Sequence, residues 1–467
     1  MPLTMDRLPS RDVVLIGAGH TNLHVVRMWR MGAIPDARLT LVTPFARATY
    51  SGMLPGTLAG LYRPEEMEID LYRFTASCGV RLIVAEAVGL DAKQHRVLVA
   101  DRPPVRYDVA SVGIGSVPAR RDLWESCPRV LSIKPMATFC DRLERALSDA
   151  RQLLTPPGDA GPPPVRVAVV GAGAGGTEVT FSLDAWLRSR GVPAQVTLVD
   201  SGEEVLPGYS AGAIQRVRRE MARRGIALRL GDRVTQIVDA PGQPMQLQFA
   251  RQSALAADFV IWGTTAAAPP ALQNFQLPKS DDGFLTVRPT LQTTGPFPVF
   301  AVGDSACFVE SPLPKAGVYA VREGPVLWDN LQRLLAGREL RPYVPQRGFL
   351  SLLATGDGRA VMQYRGWAGH GRWAWQWKDH IDRKFMRMYQ DYSPPPQMPA
   401  SIRAGNAPAG RADGHVGRGS GAMAPPMRCH GCGSKVGANI LAEALGRLSI
   451  SPDARTRLAL DRPDDAA

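Results

Sequence analysis

Two glycine-rich segments of the sequence have the residue types and spacing of turns that cradle a pyrophosphate. The first follows a short apolar run and carries Gly17 and Gly19, and the second carries Gly171, Gly173 and Gly176. Glycine lets the chain turn tightly from a strand into a helix, so that a phosphate can reach the backbone amides at the positive helix end. Because Gly171 lies 154 residues beyond Gly17, the sequence predicts two bound dinucleotides that face each other.

The second segment has the further features of a nicotinamide dinucleotide site. An apolar run that ends in Asp200 follows it, and this acid lies 24 residues beyond Gly176. A carboxylate at that place can accept hydrogen bonds from both ribose hydroxyls of NAD and would repel the 2′-phosphate of NADP. We therefore expect NADH as the donor, with NADPH less favoured.

The first segment departs from this pattern at two places. Asn22 stands where a third glycine is usual, and the next predicted strand ends in Thr43 rather than in an acid. Two later apolar runs lead to Gly113 and Gly263, each about 90 residues beyond one of the turns. Each of these runs is interpreted as a strand, followed by a segment of small residues at which the chain leaves the sheet.

Two more segments bear on the fold and the site. The run 298–302 leads to Gly303 and Asp304, after which a helix is expected to begin. The Gly- and Pro-containing loop 49–56 is interpreted as lining a cofactor ring, with an ordinary surface loop as the alternative. Strands that alternate with helical segments indicate an α/β fold with parallel sheets.

Together these segments resemble the pyridine-nucleotide-disulfide oxidoreductase superfamily, especially its type II NADH dehydrogenase branch, over roughly residues 10–390. In that superfamily the first glycine-rich unit holds FAD, and a second, inserted unit holds NAD(P)H. The resemblance implies hydride transfer from NADH to the flavin and then to an unidentified acceptor, for which a quinone and a selenium compound are among the candidates. It assigns FAD to Gly17, Gly19, Asn22, Gly113, Gly303 and Asp304, NADH to Gly171, Gly173, Gly176, Asp200 and Gly263, and a catalytic place beside the nicotinamide to Glu178.

The sequence also departs from relatives in this superfamily. Disulfide reductases carry a Cys-x₄-Cys pair on the first helix after the FAD strand, and this sequence has none. Electrons are therefore expected to leave the flavin directly. Type II dehydrogenases have a glutamine-rich helix at the quinone, and the matching residues 315–324 lack those glutamines. A quinone acceptor thus stays open at this point.

The predicted fold is α/β, with two Rossmann-like dinucleotide-binding domains and a small C-terminal element. The FAD domain is expected at 8–130 and 284–340, and the NADH domain is inserted between its parts at 160–283. Residues 341–392 form the C-terminal element, and the Gly- and Pro-rich segment 393–426 is expected to be a flexible linker.

The remaining segment, 427–467, contains a Cys-x₂-Cys pair, for which zinc binding and a thioredoxin-like redox pair are alternatives. It is also similar to the start of selenide, water dikinase. By that resemblance Cys432 and Lys435 act in selenium and phosphoryl transfer, and Asp464 and Asp465 match the first metal-binding aspartates. The expectation is a truncated fusion, with Mg-ATP bound only by a complete kinase. Alternative functions are a selenophosphate-synthesis phosphotransferase and a non-catalytic flavoprotein.

Composition limits the partners. The net charge is +12, yet no nucleic-acid-binding motif accompanies the scattered arginines, so no nucleic-acid partner is expected. No apolar stretch reaches the length that spans a membrane. Six cysteines, of which only two are close in sequence, indicate a reduced, cytoplasmic compartment.

One aromatic segment, 366–389, suggests a surface contact. Trp377, Ile381 and Phe385 recur at helical spacing opposite Lys378 and other basic residues. Such a helix can lie on anionic lipid, which would place the protein peripherally on the inner membrane face. The alternative is a helix packed on the flavin domain or across a homodimer.

Overall fold

The computed structural model of the chain describes residues 9–154, 163–346 and 348–393. Several predictions concern residues outside these ranges, so no structural observation tests them. They are the linker 393–426 beyond its first residue, the kinase-like segment 427–467, and the site residues Cys432, Lys435, Asp464 and Asp465.

The first parallel sheet begins with an apolar run whose last four residues are buried, as expected for a strand covered on both faces. In spatial order the five strands are Val299–Ala301, Val109–Val112, Arg11–Ile16, Ala37–Thr43 and Arg81–Val84. Strand order reverses at the central strand, and the crevice at such a switch point is where doubly wound folds bind ligands. The first glycine-rich turn leaves the sheet at this point.

A second sheet repeats this arrangement. Its five parallel strands are, in spatial order, Val130–Ser132, Phe259–Trp262, Val165–Val170, Ala194–Val199 and Ala227–Arg229. The predicted α/β fold with two Rossmann-like sheets is confirmed. The strand Val130–Ser132 precedes the predicted start of the second unit at residue 160, so this sheet recruits a strand from the end of the first segment.

Smaller sheets surround these two. The antiparallel sheets contain Ala87–Asp91, Arg96–Val99 and Val105–Arg106; Val234–Val238, Met245–Phe249 and Leu255–Ala257; Arg47–Thr49 and Glu68–Asp70; Val117–Pro118 and Ala266–Ala267. The strands Leu285–Val287 and Ala306–Phe308 pair in parallel. A helix is predicted to begin after Asp304. The structure instead has a short 3-10 turn, Gly303–Ser305, followed by the strand Ala306–Phe308, so that prediction is wrong. The C-terminal sheet consists of Ser351–Ala354, Ala360–Tyr364 and Trp367–Gly371, all antiparallel.

Helices pack against the sheets and connect them. They are α1 (His20–Met31), α2 (Leu54–Leu58), α3 (Leu71–Cys78), α4 (Arg121–Trp124), α5 (Phe139–Leu154), α6 (Ala174–Ser189), α7 (Ala211–Arg224), α8 (Gly317–Leu335) and α9 (Arg372–Gln390). Among the helices described, none has the length and hydropathy needed to cross a bilayer.

Helix α9 follows the C-terminal sheet and corrects the predicted orientation of the aromatic segment. Lys378, expected on the solvated face, is only 6% exposed, and Phe385 is also buried. Trp377 and Ile381, expected to share a face with Phe385, are 46% and 38% exposed. Both faces of α9 carry apolar side chains, so the helical period alone did not show which face is buried.

A largely buried ionic network joins α6 and α7 to the C-terminal sheet. The guanidinium of Arg224 lies 2.6 Å from Glu220, 3.0 Å from Asp357 and 3.6 Å from Asp184. Burial alone would raise the pKa of Glu220, but hydrogen bonds from Arg223 and Arg224 lower it to about 2. Glu220 therefore stays ionised at neutral pH. The network ties α6 and α7 to the C-terminal element.

Removing the centre of this network is expected to destabilise the protein. Arg224→Met should lower the free energy of unfolding by about 3 kcal/mol, because three acids lose one buried partner. Urea unfolding at pH 7 measures the loss, and Arg218→Met, in an exposed pair with Glu204, should cost less than about 1 kcal/mol. The contribution of Glu220 is present above its ordinary pKa of 4.5 and is lost as the pH falls toward 2. Equal losses in the two variants would contradict this role.

Candidate functional site

One cavity of about 1420 Å³ is lined by both glycine-rich turns. The following predicted site residues line it: Gly17, Gly19, Gly113, Gly171, Gly173, Gly176, Glu178, Asp200, Gly263, Gly303 and Asp304. The structure thus brings together residues from both parallel sheets, as expected for two ligands that meet in one space.

The two turns are built in the same way. Gly17 has φ +87°, and a Cβ there would lie 2.5 Å from the carbonyl oxygen of Gly113. Gly171 has φ +117°, and a Cβ there would lie 2.3 Å from the carbonyl oxygen of Gly263. Each turn therefore lies in close contact with a glycine that follows another strand of the same sheet, Gly113 in the first sheet and Gly263 in the second. A larger residue at Gly17 or Gly171 would force the turn out of its position.

Asn22 is the predicted cofactor residue that does not line the cavity. It is fully buried, and its Nδ2 donates to the carbonyl oxygen of Gly17 at 2.8 Å. Its Oδ1 accepts a hydrogen bond from the hydroxyl of Ser111 at 2.8 Å. The side chain ties the turn to the neighbouring strand, and a direct contact between Asn22 and the cofactor stays a prediction.

The helix ends at the two turns fit phosphate groups. Gly19 caps α1 and Gly173 caps α6, and neither cap has a side chain that accepts a hydrogen bond from the helix amides. A Cβ added at Gly173 would meet no atom within 4 Å, so this side of the turn is open. First-turn amides without partners, at the positive helix end, are groups that bind a pyrophosphate.

Asp200 is held in place by backbone amides at the edge of the cavity. Its Oδ2 accepts from the amide of Ala172 at 2.6 Å, and its Oδ1 accepts from the amide of Gly202 at 2.7 Å. These bonds fix the carboxylate at the end of the strand Ala194–Val199. Each oxygen still has acceptor capacity, which fits a ribose diol.

Asp304 lies in a small polar cluster that the sequence did not reveal. The hydroxyl of Ser116 donates to the Asp304 carboxylate at 2.7 Å, and the ammonium of Lys134 lies 3.2 Å from the same oxygen. Lys134 also donates to Ser116 at 2.8 Å. All three residues line the cavity, so a cationic partner accompanies the predicted flavin aspartate.

Glu178 lies at the edge of a second polar cluster, formed with α9. Its carboxylate accepts from the amide of Ala354 at 2.7 Å. The neighbouring ammonium of Lys378 donates to Asp382 at 3.0 Å and to the carbonyl oxygen of Gly52 at 2.8 Å. The hydroxyl of Tyr50 donates to Asp382 at 3.2 Å. The cluster therefore joins the second turn, the loop 49–56 and the C-terminal helix.

Burial sets the protonation of this cluster. It raises the pKa of Glu178 to about 7, although the ammonium of Lys378 opposes the shift. Burial would lower the pKa of Lys378, but the negative charges of Glu178 and Asp382 raise it above its ordinary value. The cluster thus holds a permanent cation beside a carboxyl group that can gain or lose a proton at neutral pH, as general acid–base chemistry requires.

The profile of the family described as pyridine nucleotide-disulphide oxidoreductase matches residues 11–329. The chain belongs to this family. The match covers more than half of the sequence, including both glycine-rich turns and Asp304. This oxidoreductase is of the flavin-dependent, NADH dehydrogenase-like kind, and the prediction that it is an enzyme is confirmed.

Curated relatives agree with this assignment, and solved structures share the fold. The oxidoreductase is 25% identical over 297 residues to the demethylphylloquinone reductase NdbB of Synechocystis sp., covering 62% of this chain and 69% of the relative. It is 22% identical over 378 residues to a type II NADH:quinone oxidoreductase of Staphylococcus epidermidis, covering 77% and 91%. The fold resembles the sulfide:quinone oxidoreductase of Aquifex aeolicus, with a TM-score of 0.68 and 16% identity over 83% of this chain and 93% of that one. It also resembles NDH2 from Plasmodium falciparum in complex with NADH, with a TM-score of 0.67 and 13% identity over 83% and 100%.

Some residues of the oxidoreductase site were missed by the sequence interpretation. Lys378 and Asp382 lie four residues apart, a spacing that could have indicated an ion pair on one helix face. Both residues are at least 94% shielded from solvent. Nothing in the sequence near Ser116 or Lys134 indicated their contact with Asp304, because that contact joins residues far apart along the chain.

Proposed function

We propose that the protein uses bound FAD to transfer electrons from NADH to a quinone. The observation that carries this proposal is a single cavity lined by both glycine-rich turns and by Glu178 of the titratable cluster. The quinone assignment is also supported by the names of similar proteins, a demethylphylloquinone reductase and type II NADH:quinone oxidoreductases.

In this proposal each nucleotide is held by one of the two sheets. Residues 8–130 and 284–340 would bind FAD, and residues 160–283, with the strand Val130–Ser132, would bind NADH. The residues of the first turn and Asp304 hold and orient the flavin nucleotide, and those of the second turn and Asp200 orient the NADH. Bound together, the two cofactors supply hydride transfer and the means to pass electrons to an acceptor.

The Glu178 cluster supplies protons for the acceptor. Reduction of a quinone to a quinol takes up two electrons and two protons. The electrons and one proton would come as the hydride equivalent that NADH supplies through the flavin, and Glu178, with a pKa of about 7, can donate the second proton at neutral pH. Lys378 keeps a positive charge beside it, which favours negative charge that develops on an acceptor oxygen. Asp382 accepts a hydrogen bond from the Lys378 ammonium, and the hydroxyl of Tyr50 donates to Asp382 in turn, so the acid that holds the ammonium is itself held in place.

A quinone acceptor dissolved in a bilayer requires a membrane-facing surface. The outer face of α9 has four exposed apolar side chains, Trp373, Trp377, Ile381 and Met388. The exposed charged residues of the same helix are basic, namely Arg372, Lys384 and Arg387. Exposed tryptophans beside basic residues are typical of helices that lie on anionic lipid, so we propose peripheral contact with the inner membrane face through this surface.

The spectrum of the purified protein tests the redox proposal. We expect the visible absorption of an oxidised flavin, and we expect it to bleach when NADH is added without oxygen. Adding a soluble quinone should then restore the colour. A colourless protein that cannot be loaded with FAD would contradict the cofactor assignment, and a bleached protein that a quinone does not reoxidise would contradict the acceptor.

The predicted link to selenium chemistry remains a separate prediction. It depends on Cys432, Lys435, Asp464 and Asp465, which lie outside the described residues. The experiment above separates it from the main proposal, because reoxidation of the reduced flavin by a quinone requires no selenium compound.

A further inference from the structure

A second cavity, of about 410 Å³, lies outside the dinucleotide site, between α7 and the last strand of the C-terminal sheet. Its wall contains Arg216, Arg219 and Arg223 from α7, with His370 and Trp373 on the other side. The arginines are three and four residues apart, so they share one helix face. We call this cavity the basic pocket.

The charges of the basic pocket are incompletely balanced. Glu220 also lines it, but its carboxylate already accepts hydrogen bonds from Arg223 at 2.5 Å and from Arg224 at 2.6 Å. Arg216 bonds to the carbonyl oxygen of Gly212, and Arg219 forms no ion pair within the described part of the chain. Two guanidinium groups therefore remain without an acid.

His370 adds an unsatisfied polar atom to the same wall. Its Nε2 is buried and has no hydrogen-bond partner among the described residues. Burial lowers the pKa of His370, so the ring is neutral and can donate one hydrogen bond from either nitrogen. An anion in the basic pocket would balance the charge of Arg216 and Arg219, the two guanidinium groups that have no acid there.

We infer that the basic pocket binds the phosphate group of an anionic phospholipid. The choice of a lipid comes from Trp373, which lines the pocket and also belongs to the outer face of α9. A lipid whose acyl chains contact that face can place its phosphate beside Arg216 and Arg219 in the pocket. This inference rests on the proposed membrane contact, and it adds a specific headgroup site to it.

Vesicle binding by two matched variants tests the inference. Arg219→Gln removes a pocket charge, while Arg218→Gln removes the same charge from the same helix outside the pocket, where Arg218 bonds to Glu204 at 2.6 Å. On phosphatidylcholine vesicles containing phosphatidylglycerol, Arg219→Gln should weaken co-sedimentation about fivefold. Arg218→Gln should weaken it less than about twofold, because an exposed pair contributes little.

The outcomes separate the inference from its alternatives. Equal losses in the two variants would mean that binding depends only on diffuse charge, and the pocket assignment would be wrong. If inorganic phosphate stabilises the wild type but not Arg219→Gln against heat, while both bind vesicles equally, the pocket takes free phosphate and the lipid assignment fails. A wild-type protein that binds no vesicles would overturn both the inference and the membrane contact. Turnover with NADH and a soluble quinone, measured separately, decides the redox function.

Discussion

Glu178→Gln is expected to lower the steady-state rate of quinone reduction at pH 7 about 100-fold, the lower range for loss of a general acid or base. Glutamine keeps the size of the side chain and can still accept the hydrogen bond from the amide of Ala354. It cannot deliver a proton. The loss should therefore appear in the step that protonates the acceptor and not in the binding of either nucleotide.

The pH profile gives the sharper test of this role. The pKa of Glu178 is raised to about 7, so the proton-donating form dominates below pH 7 and is lost above it. The wild-type rate should fall as the pH rises through 7, and the Glu178→Gln rate should be flat across that range. Rapid mixing with NADH alone serves as the control, because flavin reduction should change less than about tenfold. A variant that keeps the wild-type profile would show that another group supplies the proton.

The sequence predicted the parts of the site that local geometry determines. A strand, a glycine turn and a helix form one short segment, so the positions of Gly17 and Gly171 follow from their own neighbours. Asp200 follows from the same logic, because adjacent parallel strands end at one edge of the sheet. These residues line the cavity as expected.

The parts that were missed depend on contacts between distant segments. The residues that accompany Glu178 come from α9, some 200 residues later, and no local pattern indicates which face of that helix is buried. The motif gives the position of Asn22, but not the hydrogen bond that its side chain donates to the carbonyl oxygen of Gly17. The strand Val130–Ser132 is too short for its sheet to be predicted from hydrophobic periodicity.

A single methyl group at Gly176 is expected to disable the second nucleotide site. A Cβ there would lie 1.8 Å from the carbonyl oxygen of Gly171, far closer than two such atoms can approach. Helix α6 would have to move away from the turn. Gly176→Ala should therefore lower the free energy of unfolding by about 3 kcal/mol, as overpacking does. Flavin reduction by NADH should slow about 100-fold, because a displacement of about 1 Å spoils the alignment of reacting groups.

The adjacent residue provides a matched control for this effect. Gly175 lies on the same helix turn and also lines the cavity, but a Cβ there would meet no atom within 4 Å. Gly175→Ala should therefore leave the free energy of unfolding within about 0.5 kcal/mol of the wild type. Urea unfolding and stopped-flow reduction by NADH measure both variants. If the two variants behaved alike, the close approach of α6 to the turn could not be the reason for glycine at position 176. If only Gly176→Ala loses stability and slows flavin reduction by NADH, the close approach of α6 to the turn fixes the position of the helix end at which the pyrophosphate binds.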